Sequence, residues 1–240
     1  MLQSRKDFLD IMPDHSVDVV LVTMIEGELN YLLTKRSSEK SDPFPNAWGL
    51  AGVYVNTKID ENYESSAIRA LKDKAHLTTI PKLSQLQSFG NNTRDPRHWT
   101  GTLVFLGYLN ESEIEFKDDS VTWIPISQLD KIDNWAFDHK EIIEFANNEI
   151  KKQAQYDISV ISLLGEKFTQ PQIQELYEIV LGEKLDKSSF RKQIRESELL
   201  EEVEGEKMKP KKGAPAQVYK LNSNFEGFFF PRSIAKKNKK

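Results

Sequence analysis

The sequence predicts an α/β/α sandwich followed by a winged helix-turn-helix. Three observations carry that prediction. Apolar runs of strand length fill residues 17–124, interrupted by one helical pattern. A second long helical pattern closes that region near residue 156. Beyond it come three short helical segments and two strand-like segments around a basic Gly/Pro loop.

The elements can be taken in order. Val17–Met24 and Leu29–Thr34 are apolar runs with Glu26-Gly27 between them, a hairpin signal. Phe44–Gly49 reads as a loop leading into a short strand at Leu50–Val55. Tyr63, Ala67, Ala70 and Leu71 fall on one face of a helix. Leu83–Phe89, Thr102–Leu109 and Val121–Ile124 are strand candidates. A helix is expected over His139–Tyr156, with Ile142, Ile143, Phe145 and Ile150 as its apolar set and Asp138 as its N-cap. Ile158–Gly165 reads as a short helix. Pro171–Gly182 reads as a second, capped by Thr169, and Asp186–Ser197 as a third. Leu199–Val203 and Gln217–Leu221 bracket the loop Lys209–Pro215 as a wing. The domains are therefore expected at 1–152 and 157–225, with a basic tail at 226–240 and a hinge near Gln153–Asp157.

Composition excludes several classes. An apolar fraction of 38% supports a core. No run of eighteen apolar residues suggests a membrane span, and the N-terminus has no apolar signal core, so the cytoplasm is the expected location. With no cysteine there is no disulfide, thiolate zinc site or cysteine nucleophile. The net charge of −4 is uneven: residues 206–240 carry ten Lys/Arg against two Glu, +8, which leaves −12 for the rest. A basic end on an acidic chain fits either a polyanion partner or a solvated tail.

The third short helix separates two stripes. Ser188, Arg191, Lys192 and Arg195 lie on one, Phe190, Ile194 and Ser197 on the other. Such a helix, following another helix and a short turn, suits a recognition helix. Arginine reads guanine edges, while lysine and serine hold phosphates. The expected DNA contacts are Lys187, Ser188, Ser189, Arg191, Lys192 and Arg195, with Lys211 and Lys212 in the wing.

Residues 52–77 resemble a Nudix box, G-x5-E-x7-R-E-U-x-E-E-x-G-U, with its chemistry struck out. Glu61, Arg69, Leu71 and Leu77 keep the spacing. Ala70 stands where a glutamate belongs, Asp73-Lys74 replaces an acidic pair, His76 replaces glycine, and Gly52 lies three residues too far from Glu61. Magnesium needs hard oxygen ligands, which alanine and lysine do not supply. No catalytic or metal-binding residue is therefore expected. Glu61 reads as a polar helix-leading residue, and Arg69 as part of an ion pair within the box helix.

Further motifs extend the resemblance: Phe44–Gly52, Gln87–Gly90 with Arg94-Asp95-Pro96-Arg97, Trp123–Pro125, Ala136–His139, Ser188–Lys192 and Gly213–Tyr219. Together they resemble the Nudix-related transcriptional regulators of NAD metabolism, the NrtR family, in its proteobacterial, Shewanella-type form. The resemblance implies a homodimeric repressor that binds a palindromic double-stranded operator and is released by ADP-ribose or a related nucleotide acting as effector, with no cofactor. The effector residues it implies are Arg36, Trp48, Gly52, Arg94, Arg97, Phe137 and His139. Five of them have a second reading. Arg36 either grips a diphosphate or is solvated, Arg94 and Arg97 bind ligand or pair locally with Asp95, and Trp48 stacks on adenine or packs the core. His139 beside an acid is half a catalytic dyad, but no G-x-S-x-G nucleophile accompanies it. Two other functions remain in view: an ADP-ribose pyrophosphatase with an appended domain, and an adaptor whose winged helix binds protein.

Overall fold

In the computed structural model, residues 11–114, 119–197, 199–209 and 214–222 are described. The first lobe is built on β1 (Asp14–Ile25) and β2 (Glu28–Lys35). Their hairpin forms where expected, because Glu26 and Gly27 both take positive φ, 51° and 79°, the twist a two-residue turn needs. The other strands are β3 (Trp48–Gly49), β4 (Ala51–Tyr54), β5 (Leu83–Asn91), β6 (Thr100–Tyr108) and β7 (Val121–Pro125). The central path is β3-β2-β1-β6-β5, with β4 on β1 and β7 on β2.

β1 organises this sheet. One edge runs parallel to β6 from Asp14 to Val22. The other edge is divided: Ser16–Val19 pairs with β4 and Val22–Ile25 pairs with β2. The sheet therefore splays beside the N-terminal half of β1, and a cleft opens there.

Two helices cover the faces. α1 (Tyr63–Ala75) starts at Asn62, whose side chain accepts from the Ser65 N–H at 2.9 Å, and ends at His76 with φ 56°. It buries Ala67, Ala70, Leu71 and Ala75 against Val17, Val19 and Leu21. α2 (His139–Gln153) buries Ile142, Ile143, Ala146 and Ile150 against Val20 and Val22. Strand alternation accounts for the split of β1 residues between the two faces. α2 is shorter than its periodicity suggests; Gln155, Tyr156 and Asp157 continue as turns.

The second lobe contains β8 (Phe168–Thr169), α3 (Gln170–Leu181), α4 (Lys187–Glu196), β9 (Leu200–Met208) and β10 (Ala216–Leu221). Thr169 leads α3 as expected, with its N–H donating to Gln172 Oε1 at 2.8 Å, and Gly182 ends the helix at φ 74°. The expected helix over Ile158–Gly165 is instead a 3-10 turn, Ser159–Leu164. Six residues, Val160 and Ile161 among them β-branched, are too few to sustain an α-helix. β8, β10 and β9 form a three-stranded sheet in that order. β9 reaches Met208, five residues beyond the strand end expected at Val203. The expected tail at 226–240 lies outside the described residues.

The lobes share one apolar core. Ile150, Ala154 and Ile158 join Leu163, Phe168, Ile173, Leu176, Tyr177, Phe190 and Ile194 in a single cluster. Asn110 Nδ2 donates to the Leu163 carbonyl at 2.7 Å, and Tyr177 Oη to the Asp157 carbonyl at 3.2 Å. The expected hinge at Gln153–Asp157 is therefore bridged by packing as well as by chain. Among the described residues no helix is long and apolar enough to cross a membrane.

Candidate functional site

The cleft beside β1 is a cavity of about 660 Å³. β1 supplies Ser16 and Asp18, β4 supplies Gly52 and Tyr54, and α1 supplies Arg69, Asp73 and Lys74. The segment before α1 adds Asn56, Thr57 and Lys58, so the extra residues between Gly52 and Glu61 build part of the wall. Arg36, Arg94, Asp95, Arg97, Phe137 and His139 also line it. Its volume lies in the range of small-molecule sites.

Four arginines face the cavity, and each is held by aspartate. Arg36 makes two 2.8 Å bonds to Asp42. Arg69 makes bonds of 2.8 and 2.6 Å to Asp60 and a third, 2.8 Å, to the Tyr54 carbonyl. Arg97 holds Asp95 at 2.9 and 2.7 Å. Arg94 reaches Asp138 at 2.9 and 3.1 Å and Asp18 at 3.2 Å. Bidentate pairing fixes the guanidinium planes. Lys58 and Lys74 are exposed and carry no ion pair among the described residues. With Asp42, Asp60 and Asp138 added to the lining's Asp18, Asp73 and Asp95, six cations meet six carboxylates, and Lys58 and Lys74 are the cations an anionic ligand would meet without an ion pair.

Asp18 is the hub at the buried end. Burial alone raises its carboxyl, yet His139 and the Arg94 guanidinium outweigh burial and hold it at about 2. His139 Nδ1 accepts from the Leu50 N–H at 2.9 Å, while Nε2 faces Asp18 at 3.5 Å. Both ring nitrogens are thus engaged, and none is left as a general base. Arg97 holds the Asp95 carboxyl at about 2.

Two glycines allow this packing. A Cβ on Gly52 would stand 1.9 Å from Asp18 Oδ1, and one on Gly49 would stand 2.5 Å from His139 Nδ1. Phe137 takes φ 52°, a conformation a phenylalanine rarely adopts. Its ring lies 4.9 Å from the Arg36 guanidinium and 5.1 Å from the His139 ring.

The structure brings together Arg36, Gly52, Arg94, Arg97, Phe137 and His139 from the expected effector set. Trp48 is the exception. Gly49 faces His139, so strand alternation turns Trp48 away; it bridges to Trp135 and lies under Lys35. Three other expectations need correction. Asp138 precedes α2 but makes no side-chain cap; its carboxylate goes to Arg94. Arg69 pairs with Asp60, ahead of the helix, and not within it. Arg94 pairs with distant aspartates, not with its neighbour Asp95. Glu61 is exposed and off the cavity, as a helix-leading residue should be. The sequence reading missed Asp18, Tyr54 and Lys58. A carboxylate inside the apolar run Val17–Met24 was the available signal for the first.

The second candidate surface is α4. Asp186 caps it, accepting from the Ser189 N–H at 2.8 Å. Phe190 and Ile194 are buried, and the Phe190 ring lies 5.4 Å from that of Tyr177. Ser188, Lys192 and Arg195 are exposed, as the stripe requires, and Lys187 and Ser189 beside it are exposed too. Arg191 is only half exposed, and its Nε is buried without a hydrogen-bond partner. It sits about 60° around the helix from Ile194, at the margin of the apolar stripe. Lys192 forms an i,i+4 pair with Glu196 at 3.7 Å. Lys211 and Lys212 lie outside the described residues.

Residues 160–221 match the family model for the NrtR DNA-binding winged helix domain. An ADPR-responsive transcriptional repressor, NtrR, of Acinetobacter baylyi is 33% identical over 226 residues, spanning 92% of this chain and 87% of that protein. The chain belongs to the NrtR family. Shewanella oneidensis NrtR, solved with a 27mer DNA, has a TM-score of 0.82 at 31% identity, covering 90% of this chain and 97% of that one. The Nudix domain of the same protein, solved with ADP ribose, gives a TM-score of 0.51 at 28% identity over 61% of this chain and 99% of that one. The first lobe is accordingly a Nudix domain and the second a winged helix.

Nudix domains of hydrolases hold magnesium on the box helix, and the residues of this NrtR-family chain do not fit that ion. Ala70 is fully buried and offers no oxygen. Asp73 alone among the box helix residues puts a carboxylate on the cavity, next to the Lys74 ammonium. Asp60 is committed to Arg69, Ser66 and the Asn56 N–H. Among the described residues no group of three His, Asp or Glu side chains converges as a metal site.

Proposed function

We propose that this chain is a DNA-binding transcriptional repressor of NAD-metabolism genes. It acts as a homodimer on a palindromic operator and leaves it when ADP-ribose, or a related nucleotide, occupies the Nudix cavity. The effector set is Arg36, Gly52, Arg94, Arg97 and Phe137, with His139 holding the wall. Lys187, Ser188, Ser189, Arg191, Lys192 and Arg195, with Lys211 and Lys212 of the wing, contact the duplex. ADP-ribose enters as an effector, not a cofactor.

One observation carries this reading: a cavity lined by four arginines and two lysines, with no metal-holding group of carboxylates among the described residues, shares a chain with an exposed cationic helix in a winged-helix domain. The cavity suits retention of a diphosphate, the helix suits DNA, and the relatives include an ADPR-responsive repressor. The test is a gel shift on the DNA upstream of the chain's own gene. A shifted band that disappears on adding ADP-ribose is the expected result. A band indifferent to ADP-ribose overturns the effector, and no band at all overturns the repressor.

The pyrophosphatase alternative makes the opposite claim about chemistry. With Ala70 and Lys74 in place of carboxylates, we expect no hydrolysis of ADP-ribose with Mg²⁺ or Mn²⁺, even at high protein concentration. Turnover near ~1 s⁻¹, ordinary for an enzyme, contradicts this.

A further inference from the structure

Arg94 serves two carboxylates. One guanidinium between Asp18 and Asp138 leaves a surplus negative charge at the buried end of the cavity. The two aspartates are not held alike. Asp18 is also faced by His139 and lies deeper, its side chain 6% exposed against 12% for Asp138. Arg94 is the side-chain partner of Asp138 among the described residues. Asp138 does not line the cavity, whereas Arg94 does.

Asp138 also stands at the N-cap position of α2, where an aspartate ordinarily accepts from first-turn N–H groups. Here it does not: its carboxylate is bonded to Arg94, and its backbone, at φ −97° and ψ 22°, is outside the extended conformation of a capping residue. α2 in turn reaches the winged helix: Ala154, at its C-terminal end, shares a cleft with Tyr177 of α3 and Phe190 of α4.

From this geometry we infer that Asp138 is the displaceable partner of Arg94. An anionic group of the ligand takes the Arg94 guanidinium, and the freed carboxylate caps α2. Ligand occupancy is thereby written into the helix that packs against the DNA-binding lobe. The inference rests on the reading of the cavity as an effector site. Its chemistry requires only that ligand anion and Asp138 compete for one guanidinium. Two-state coupling then follows from the unequal affinity of the ligand for the two Arg94 arrangements.

The test compares wild type with Asp138→Asn and Asp138→Ala, the first nearly isosteric and able to fold with the Arg94–Asp18 pair intact. Calorimetry gives the ADP-ribose affinity of each free protein. DNA titrations with and without ADP-ribose give the factor by which the nucleotide weakens DNA binding. Both variants should bind ADP-ribose roughly tenfold more tightly, about one charge-assisted hydrogen bond no longer needing to be exchanged. In both, the weakening factor should fall toward one. Unchanged or weaker ADP-ribose binding, or a weakening factor equal to that of wild type, overturns the inference. Wild type that fails to bind ADP-ribose or DNA is a separate result; it defeats the effector reading, and this inference with it.

Discussion

Arg94→Ala should cost about 3–5 kcal/mol of folding stability near neutral pH, the usual penalty for breaking a buried ion pair from one side. Asp18 and Asp138 lose the same cation, and Asp18 lies in the interior. The effect has a pH signature. In wild type the Asp18 carboxyl sits at about 2, below its ordinary 3.8. A depressed carboxyl stabilises the fold above its unfolded value, and that contribution is lost as pH falls through the folded value. Wild type should therefore shed on the order of 2 kcal/mol between about pH 4 and pH 2. In the variant the Asp18 carboxyl loses one of the groups that hold it down and moves upward, so less is lost there and the gap narrows with acid. Denaturant unfolding of both proteins at neutral and acidic pH checks this. A gap below ~1 kcal/mol near pH 7, or one that widens with acid, contradicts the role given to Arg94. Arg94→Lys should recover only part of the loss, since an ammonium cannot replace a planar fork.

The second large effect belongs to α4. Lys192 and Arg195 are exposed on the stripe away from Phe190 and Ile194, and Lys187 is exposed at the first turn, on the side of Phe190 and Ile194. Replacing all three by alanine should weaken cognate and random DNA alike. It should also lower the salt dependence of binding by about three phosphate contacts. Arg191→Ala should behave differently, costing ~1–3 kcal/mol on the cognate site and relaxing sequence preference. Binding titrations at several salt concentrations separate the two. An unchanged salt slope in the triple variant removes α4 from the DNA interface. Equal losses on cognate and random DNA for Arg191→Ala assign that residue to packing beside Ile194 instead of base reading.

Much of the fold was legible because it rests on local rules. Glu26-Gly27 specifies a two-residue turn, Thr169 and Gly182 bracket α3, and the spacing of Phe190 and Ile194 fixes the buried face of α4. The site was legible in composition but not in wiring. Arg97 with Asp95 is a pair two residues apart. Arg94 meets partners 44 and 76 positions away, and no local pattern announces that. Asp18 reads as one polar letter in an apolar strand until β1 is seen divided between β2 and β4. Of the two readings of Trp48, packing against the core holds for a related reason: the phase of a two-residue strand decides which side of Gly49 it faces, and that phase comes from pairing with β2. The expected 158–165 helix failed on length, its apolar residues being recruited by the core between the lobes.

That shared core bears on how a ligand in the Nudix cavity reaches the winged helix. A free hinge at Gln153–Asp157 would leave the lobes independent, whereas one apolar cluster running from β1 through α2 to α4 links them. The central claim is that occupancy of the cavity and of the DNA surface are linked, and linkage is reciprocal. Calorimetry of ADP-ribose with free protein and with operator-bound protein measures it. The account predicts that operator DNA weakens ADP-ribose binding by the same factor that ADP-ribose weakens DNA binding. Identical ADP-ribose affinity in the two states contradicts it, leaving a repressor whose cavity plays no part in release.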